Sequence, residues 1–463
     1  MKNCRFDLRS TSVRHRWLIV LLGLALVIHF LLLIPAAKGS SWLFVSTDAV
    51  WYERLPLNII TGNGYSLATS GPYTLNSTIV PLHPLFVTGV YASVGRVPYV
   101  VIAIQIILSL GVIAWMIRWG AREFSPKTGI IAGALLILNV ALAFHSVQFM
   151  TDVLFLTFLV PALWLVLQVF EGNAPTRSGL GAGVLFGLGA LTRPVGLYFP
   201  LILPFLFLLR KPNKQRLRGY GVLLLSHIVI VSPWFIRNRI VFGHLFFSTV
   251  QGYNLLYIHA APVKIAVEGK SFNEASQEIE QAALERYGEP RNEAERLLFA
   301  GREAMRYLIK HPVRYAGLYA AGVLKVFLPM GLSEFLLFYT DPEQDIRNLT
   351  PSVHAALLQG RPGEALRLIW EERVVPTGGI FFLYVAAFLF KLFIIGLALR
   401  GFLIKGFRSP FNLLAFIVAI YFIGVTGPAG QPRHFLPLLP LAALLAAHGL
   451  IFGLEKTNTL RRL

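Results

Sequence analysis

Apolar stretches of bilayer-spanning length recur along this chain at about 17–34, 98–119, 128–145, 153–170, 178–192, 195–209, 219–236, 379–400, 410–427 and 434–454. Between them lie two long segments in which Pro, Gly and charged residues return, roughly 38–97 and 239–378. The pattern predicts an all-α polytopic membrane protein of about 10 spans, or roughly 12 if the ambiguous stretch 312–330 crosses and a second short crossing near Leu332–Phe338 restores parity. Arg314 and Lys325 interrupt 312–330, so it reads as a short re-entrant or partial span. The stretches 178–192 and 195–209 meet at Thr192-Arg193-Pro194, which forces either a tight turn or one span shorter than it looks.

Basic flanks set the orientation. Lys2, Arg5, Arg9, Arg14 and Arg16 precede the first span, and Arg118, Arg122, Lys127, Arg177, Arg210, Lys211, Lys214, Arg216, Arg218, Lys405, Arg408, Arg461 and Arg462 fall on the same side under one alternating topology. The positive-inside rule puts both termini and these clusters in the cytoplasm. The first span has no small-residue cleavage site and is expected to be retained. The two long segments are then extracytoplasmic. The organisation expected is a transmembrane module over 1–238 with its first outer loop at 38–97, an outer helical region over 239–378, and C-terminal helices over 379–463.

Within the first loop, Pro56, Gly62, Gly64, Gly71, Pro72, Pro81 and Pro84 exclude one long helix but allow short interfacial ones. The run Ser46-Thr47-Asp48-Ala49-Val50-Trp51-Tyr52-Glu53-Arg54 is one candidate; steps of 100° put Asp48, Tyr52 and Leu55 on one side, with Trp51 nearby. In the second region, Ser271-x-x-Glu274 has capping-box spacing, and Leu297, Gly301, Ala304, Met305 and Leu308 recur at helical period. These helices read as a cover over the outer mouth of the bundle.

Composition confirms the class: 55% of residues are hydrophobic, 14% are charged, and the mean hydropathy is +0.63. The net charge of +19, from 42 Lys and Arg against 23 Asp and Glu, sits beside the spans where anionic headgroups select it, so nucleic acid is excluded as a partner and the lipid bilayer is expected. Cys4 is the only cysteine and is cytoplasmic, which removes disulfides and thiolate metal sites from the outer face.

Candidate chemistry gathers at the outer span ends. Asp48 reads either as an N-terminal cap of its helix or as a site carboxylate, and Asp152, in Thr151-Asp152, likewise. Arg193, Arg237, Arg239 and Arg433 ring the face that topology does not favour for positive charge, which suggests guanidinium forks around an anion such as a lipid phosphate. His83 and His434 are candidate donors to the same anion, and Tyr52 and Glu53, beside Asp48, are further substrate-binding candidates.

The collinear set Asp48-x-x-x-Tyr52, Gly62-Asn63-Gly64-Tyr65, Pro81-Leu82-His83-Pro84-Leu85-Phe86, Thr151-Asp152, Leu191-Thr192-Arg193-Pro194-x-Gly196, Pro233-Trp234-x-x-Arg237-Asn238, Gly243 and Gln431-Pro432-Arg433-His434-Phe435-Leu436-Pro437 resembles the polytopic glycosyltransferases that use polyprenyl-phosphate sugars, the protein O-mannosyltransferase and lipid A aminoarabinosyltransferase relatives of the GT-C fold. The resemblance implies a shared module of seven spans with outer amphipathic helices, Asp48 as the catalytic carboxylate and Asp152 as a second site carboxylate. It implies a polyprenyl-phosphate-linked sugar donor and a lipid, glycan or protein acceptor. The first loop lacks Asp-x-Asp and Asp-x-Glu, which argues against the metal-dependent oligosaccharyl branch, and His83 departs from the residue expected in its Pro-x-x-Pro segment. No metal or other cofactor is expected.

The chemistry follows without the name. A phosphate leaves as an anion and needs no general acid, so one base and a cationic cradle suffice, unlike the two carboxyl groups of glycoside hydrolysis. A transporter or flippase of lipid-linked sugars is the alternative, with His29, His227 and Lys391 as its candidates at depth, and a noncatalytic envelope scaffold is a third. Asn76-Ser77-Thr78 and Asn348-Leu349-Thr350 have sequon spacing, but the compact loops favour a bacterial inner membrane.

Overall fold

The computed structural model describes residues 8–34, 39, 43–44, 47–208, 213–329, 361–371 and 379–460. Lys2, Arg5, Arg210, Lys211, the crossing expected near Leu332–Phe338, the Asn348 sequon and Arg461–Arg462 lie outside the described residues.

Among the described residues the regular structure is helical. The first half runs α1 (Leu8–Leu33), α2 (Thr47–Ile60), α3 (Leu82–Val94), α4 (Pro98–Glu123), α5 (Pro126–Ile137), α6 (Val140–Ser146), α7 (Asp152–Glu171), α8 (Pro175–Thr192) and α9 (Lys214–Phe242). The outer region continues with α10 (Val250–Tyr253), a π-helix (Asn254–Ala260), α11 (Ala261–Glu268), α12 (Phe272–Tyr287), α13 (Glu293–Lys310) and α14 (Pro312–Val326). Then come α15 (Pro362–Ile369), α16 (Gly379–Lys405), α17 (Pro410–Gly424) and α18 (Leu439–Leu460).

Among the described residues, five helices are long and apolar enough to cross a membrane: Arg16–Leu33, Pro98–Glu123, Asp152–Glu171, Lys214–Phe242 and Phe381–Arg408. α5 and α6 count as a sixth if taken as one span bent by 61°. The bend has a local cause, because Asn139 leaves the helical path after α5 and its side chain caps α6 by accepting from the Leu142 N–H. The other expected spans take shorter forms: α17 has 15 residues, and the apolar part of α18 begins only at Leu439, beyond His434. The stretch expected at 195–209 departs most. It folds as 3₁₀ turns, Pro194–Gly196 and Phe199–Leu208, because Pro200 and Pro204 each lack an N–H and obstruct the preceding helical turn. The junction at Thr192-Arg193-Pro194 is therefore a tight turn. Of the stretch 312–330, Pro312–Val326 forms α14, 15 residues long and too short to cross alone.

Helices pack through small residues and a shared apolar core. Gly179 and Gly183 of α8 lie directly on α9, where an added Cβ would sit 2.1 Å from the Gly219 carbonyl oxygen and 2.0 Å from Ser226 Oγ. That is the close backbone approach that small residues allow between membrane helices. Leu163, Phe199, Leu414, Leu444 and Ala446 are buried in the core that α7, the second 3₁₀ turn, α17 and α18 share. Exposed Ile19, Val27 and Phe30 of α1, Leu225 and Ile228 of α9, and Phe382 and Leu389 of α16 give the bundle the apolar exterior that lipid requires.

The outer region has its own small core of Leu256, Ala260, Val263, Ile279, Ala300, Ala304 and Leu308. Ser271 and Glu274 form the expected capping box at the start of α12. Leu297, Gly301, Ala304 and Leu308 of α13 are buried, whereas Met305 is exposed, one step off the packed face. This region is tied to the first outer loop by Thr249, whose hydroxyl meets Ser77 Oγ at 2.9 Å and Thr78 Oγ1 at 3.0 Å.

Candidate active site

A cavity of about 490 Å³ opens where the ends of several helices converge, lined by Asp48, Trp51 and Tyr52 of α2, Thr192 and Arg193 at the end of α8, Tyr253, Asn254 and His259 of the outer region, and Gln431, Arg433 and His434 before α18. That size suits a small polar ligand or a sugar with its phosphate.

Local sequence explains how each charged group reaches the cavity. Thr47 starts α2, so Asp48 stands in its first turn, where the helix macrodipole favours a carboxylate. Pro194 pushes the preceding residue out of the helical region, and Arg193 is extended at φ −142°, ψ 122°. Its guanidinium, released from the helix, pairs closely with Asp152 Oδ1. Arg433 is held by a 3₁₀ turn, Pro432–Phe435, that Pro432 begins and the Gln431 N–H secures by donating to His434 Nδ1 at 3.1 Å.

Two ion pairs result. Arg433 Nη2 donates to Asp48 Oδ2 at 2.7 Å across 385 positions of sequence, with the carboxylate still 31% exposed to the cavity. The Arg193–Asp152 pair lies deeper: the Asp152 side chain is 3% exposed, and its Oδ2 accepts no hydrogen bond from the described residues. Burial, followed by the Arg433 and Arg193 charges, holds the His434 imidazole down to about 3, so it is neutral. Burial, helped by the Asp48 charge, pushes the Tyr52 phenol up to about 12, so it stays protonated.

Of the expected site residues, Asp48, Tyr52, Arg193, Arg433 and His434 line the cavity, and Asp152 backs it through Arg193. Three are placed elsewhere. Glu53 is turned away from the cavity, accepting from Arg96 Nε at 3.1 Å, Arg96 Nη2 at 3.0 Å and Tyr91 Oη at 3.0 Å, because the next position along α2 points away from the face of Tyr52. His83 is fully buried behind Tyr52, ring edge to ring at 5.2 Å, and burial lowers its imidazole to about 4. Arg237 is outside the lining, where it donates to the Asn76 carbonyl at 3.1 Å and lies over the Trp234 ring at 4.7 Å, fastening the first loop to α9. Arg239 donates to the Gly243 carbonyl at the end of its own helix. The expected ring of four arginines is thus two at the cavity and two in structural roles.

The sequence reading missed the outer wall. Tyr253, Asn254 and His259 line the cavity from a region taken as a cover, and the only sequence signal was their polarity among apolar neighbours. Among the described residues, no group of three or more His, Cys, Asp or Glu side chains is placed to hold a metal ion.

Residues 78–236 match the dolichyl-phosphate-mannose-protein mannosyltransferase family. No curated protein matches the sequence. The fold is similar to that of the archaeal oligosaccharyltransferase AglB from Archaeoglobus fulgidus in complex with an inhibitory peptide and a dolichol-phosphate, at 17% identity and a TM-score of 0.53 over 98% of this chain and 52% of that one. The Archaeoglobus fulgidus oligosaccharyltransferase tethered to an acceptor peptide containing the NVT sequon is similar at 17% identity and a TM-score of 0.51, over 96% and 50% of the two chains. ArnT from Cupriavidus metallidurans bound to undecaprenyl phosphate gives 12% identity and a TM-score of 0.44 over 94% and 77%. The chain spans about half the length of the archaeal structures it matches. It is an integral, multi-pass membrane protein with the GT-C fold, resembling the glycosyltransferases that its motifs imply.

Proposed function

We propose that this GT-C chain is a membrane glycosyltransferase that moves a sugar from a polyprenyl-phosphate donor to an acceptor hydroxyl on a lipid, glycan or protein at the extracytoplasmic face. The observation that carries the reading is the 2.7 Å contact between Asp48 and Arg433 in the wall of a cavity that Arg193 also lines. It puts one solvent-reachable carboxylate into a cavity with two guanidiniums, the minimum that displacement of a phosphate requires. The archaeal neighbour that carries a dolichol-phosphate supports a lipid phosphate of that class as the ligand.

In the reaction, the acceptor oxygen attacks the anomeric carbon as the bond from that carbon to the phosphate oxygen breaks. The bonding pair departs with the phosphate, and Asp48 takes the hydroxyl proton. Direct displacement inverts the anomeric configuration. Arg433 and Arg193 stabilise charge developing on the departing phosphate; each guanidinium carries five N–H donors, more than one carboxylate uses. Arg433 also holds Asp48 in place, while Asp152 fixes Arg193. Tyr52 and His434, both uncharged, add hydrogen-bonding groups without changing the charge balance. No step needs a metal. The outer face fits because a sugar used there must be carried across the bilayer on a lipid, and a bacterial inner membrane agrees with the compact loops.

The test is a reconstituted assay with radiolabelled polyprenyl-phosphate sugars that scores transfer separately from translocation. Transferred label with no movement of unreacted donor between leaflets supports the enzyme. Translocation without transfer would establish a flippase instead.

A further inference from the structure

The wall of the cavity opposite the two ion pairs is built on the π-helix Asn254–Ala260. In an α-helix, residues five apart point about 140° away from each other. Bonding from i to i+5 widens the turn and brings such residues round to the same side, and both Asn254 and His259 line the cavity. The wall is anchored from behind: Gly252 lies so close to α13 that an added Cβ would sit 2.1 Å from the Leu297 carbonyl oxygen.

Apart from the aliphatic Val250 and Ile258, the side chains that this wall turns to the cavity are polar or aromatic, and none carries charge. The Asn254 side chain has no hydrogen-bond partner among the described residues. His259 meets Tyr315 Oη through Nδ1 at 3.0 Å, which orients the ring and leaves Nε2 for a ligand, and burial holds the imidazole neutral, at about 4. Trp51 and Tyr253 stand edge to face at 6.4 Å beside them. An amide and a neutral imidazole each match hydroxyl groups, while aromatic faces match the C–H face of a pyranose. The charges lining the cavity are Asp48, Arg193 and Arg433, all committed to the reacting centre, so nothing on the wall compensates an amino or carboxyl substituent.

We propose that Asn254 and His259 are specificity-determining residues that read the hydroxyls of an uncharged sugar, with Trp51 and Tyr253 against its apolar face. This rests on the glycosyltransferase reading and adds the class of sugar. The test measures, with the full chain in nanodiscs, binding of undecaprenyl phosphate alone and of undecaprenyl phosphate linked to mannose, glucose, galactose or 4-amino-4-deoxyarabinose. One neutral sugar should bind tightest. Asn254→Ala and His259→Ala should each cut its advantage over the bare lipid by about tenfold, leaving affinity for bare undecaprenyl phosphate unchanged. Asn254→Asp, which keeps the size of the side chain and adds a carboxylate, should shift preference toward the amino sugar. Unchanged ratios in both alanine variants, equal weakening of the bare lipid, or tightest binding of the amino sugar by the parent would overturn the proposal. Transfer scored in the same preparations separates the two readings. Selective sugar binding without transfer would retire the enzyme and keep the wall, and transfer with unchanged ratios would retire the wall alone.

Discussion

Arg193 and Arg433 end in one cavity, yet their carboxylate partners differ in burial, and this predicts different phenotypes. Removing Arg193 strands a carboxylate that is 3% exposed; Arg193→Ala should lower stability by about 3–5 kcal/mol, and Arg193→Met with Asp152→Leu should recover most of it. Thermal unfolding of the single and double variants checks this. Removing Arg433 leaves Asp48 facing the cavity, so folding should survive while affinity for the lipid donor falls. A guanidinium–phosphate contact is worth about 1.5–3 kcal/mol, or roughly tenfold to a hundredfold in a binding titration. His434 predicts a pH effect. Its folded value near 3 lies below the unfolded value of about 6.5, so the folded chain refuses a proton that the unfolded chain takes. Its contribution is present above pH 6.5 and is lost as the pH falls toward 3. Melting at pH 7 and pH 5 should show parent stability dropping more than that of His434→Asn, whose amide oxygen replaces Nδ1 as acceptor for the Gln431 N–H. His83 and His259, also held low, account for part of the remaining acid sensitivity.

Among the elements, α14 decides where Arg433 sits. Its Gly322 lies against the turn Gly427–Ala429, and a Cβ there would be 2.1 Å from the Gly427 carbonyl oxygen; Gly430 approaches the Gly322 carbonyl oxygen as closely. The obstacle is backbone and cannot swing aside, so Gly322→Ala should displace the turn that precedes Arg433. Donor affinity and melting temperature should then fall together, unlike the Arg433→Ala outcome. Lys391 of α16 reinforces the same joint by donating to the Val326 carbonyl at 2.8 Å, with its ammonium 4.3 Å from the Phe435 ring centre. None of this was legible in the sequence, because Gly322 and Gly427 are distant in the chain and each reads as an ordinary apolar-stretch glycine. What was legible was local: the start of α2 at Asp48, the Ser271–Glu274 box, and the periodicity of α13. The 3₁₀ form of 195–209 was half legible in its prolines, and the π-helix was hidden because its period is neither that of a helix nor that of a strand.

For the whole molecule, the sequence revealed the class and the collinear motifs, while the meeting of residues 48 and 433 awaited three-dimensional placement. The sequence named the cavity's charges, Asp48, Arg193 and Arg433, but also Glu53, His83 and Arg237, which are engaged elsewhere, because motif order carries no information about which side of a helix faces a cavity. The basic flanks predict both termini on the cytoplasmic side. Reporter fusions at the two ends should both report cytoplasm, and an outer C-terminus would mean an odd number of crossings. The central claim, that this fold exists to let Asp48 accept a hydroxyl proton while arginines hold a phosphate, is tested most directly by glycosyl transfer with purified parent and Asp48→Asn proteins matched for melting temperature. Asparagine caps a helix about as well as aspartate and cannot act as the base. The account predicts a rate lower by about a hundredfold to ten-thousandfold with donor binding retained. Turnover above about a third of the parent's would contradict it, since loss of a general base costs far more than that.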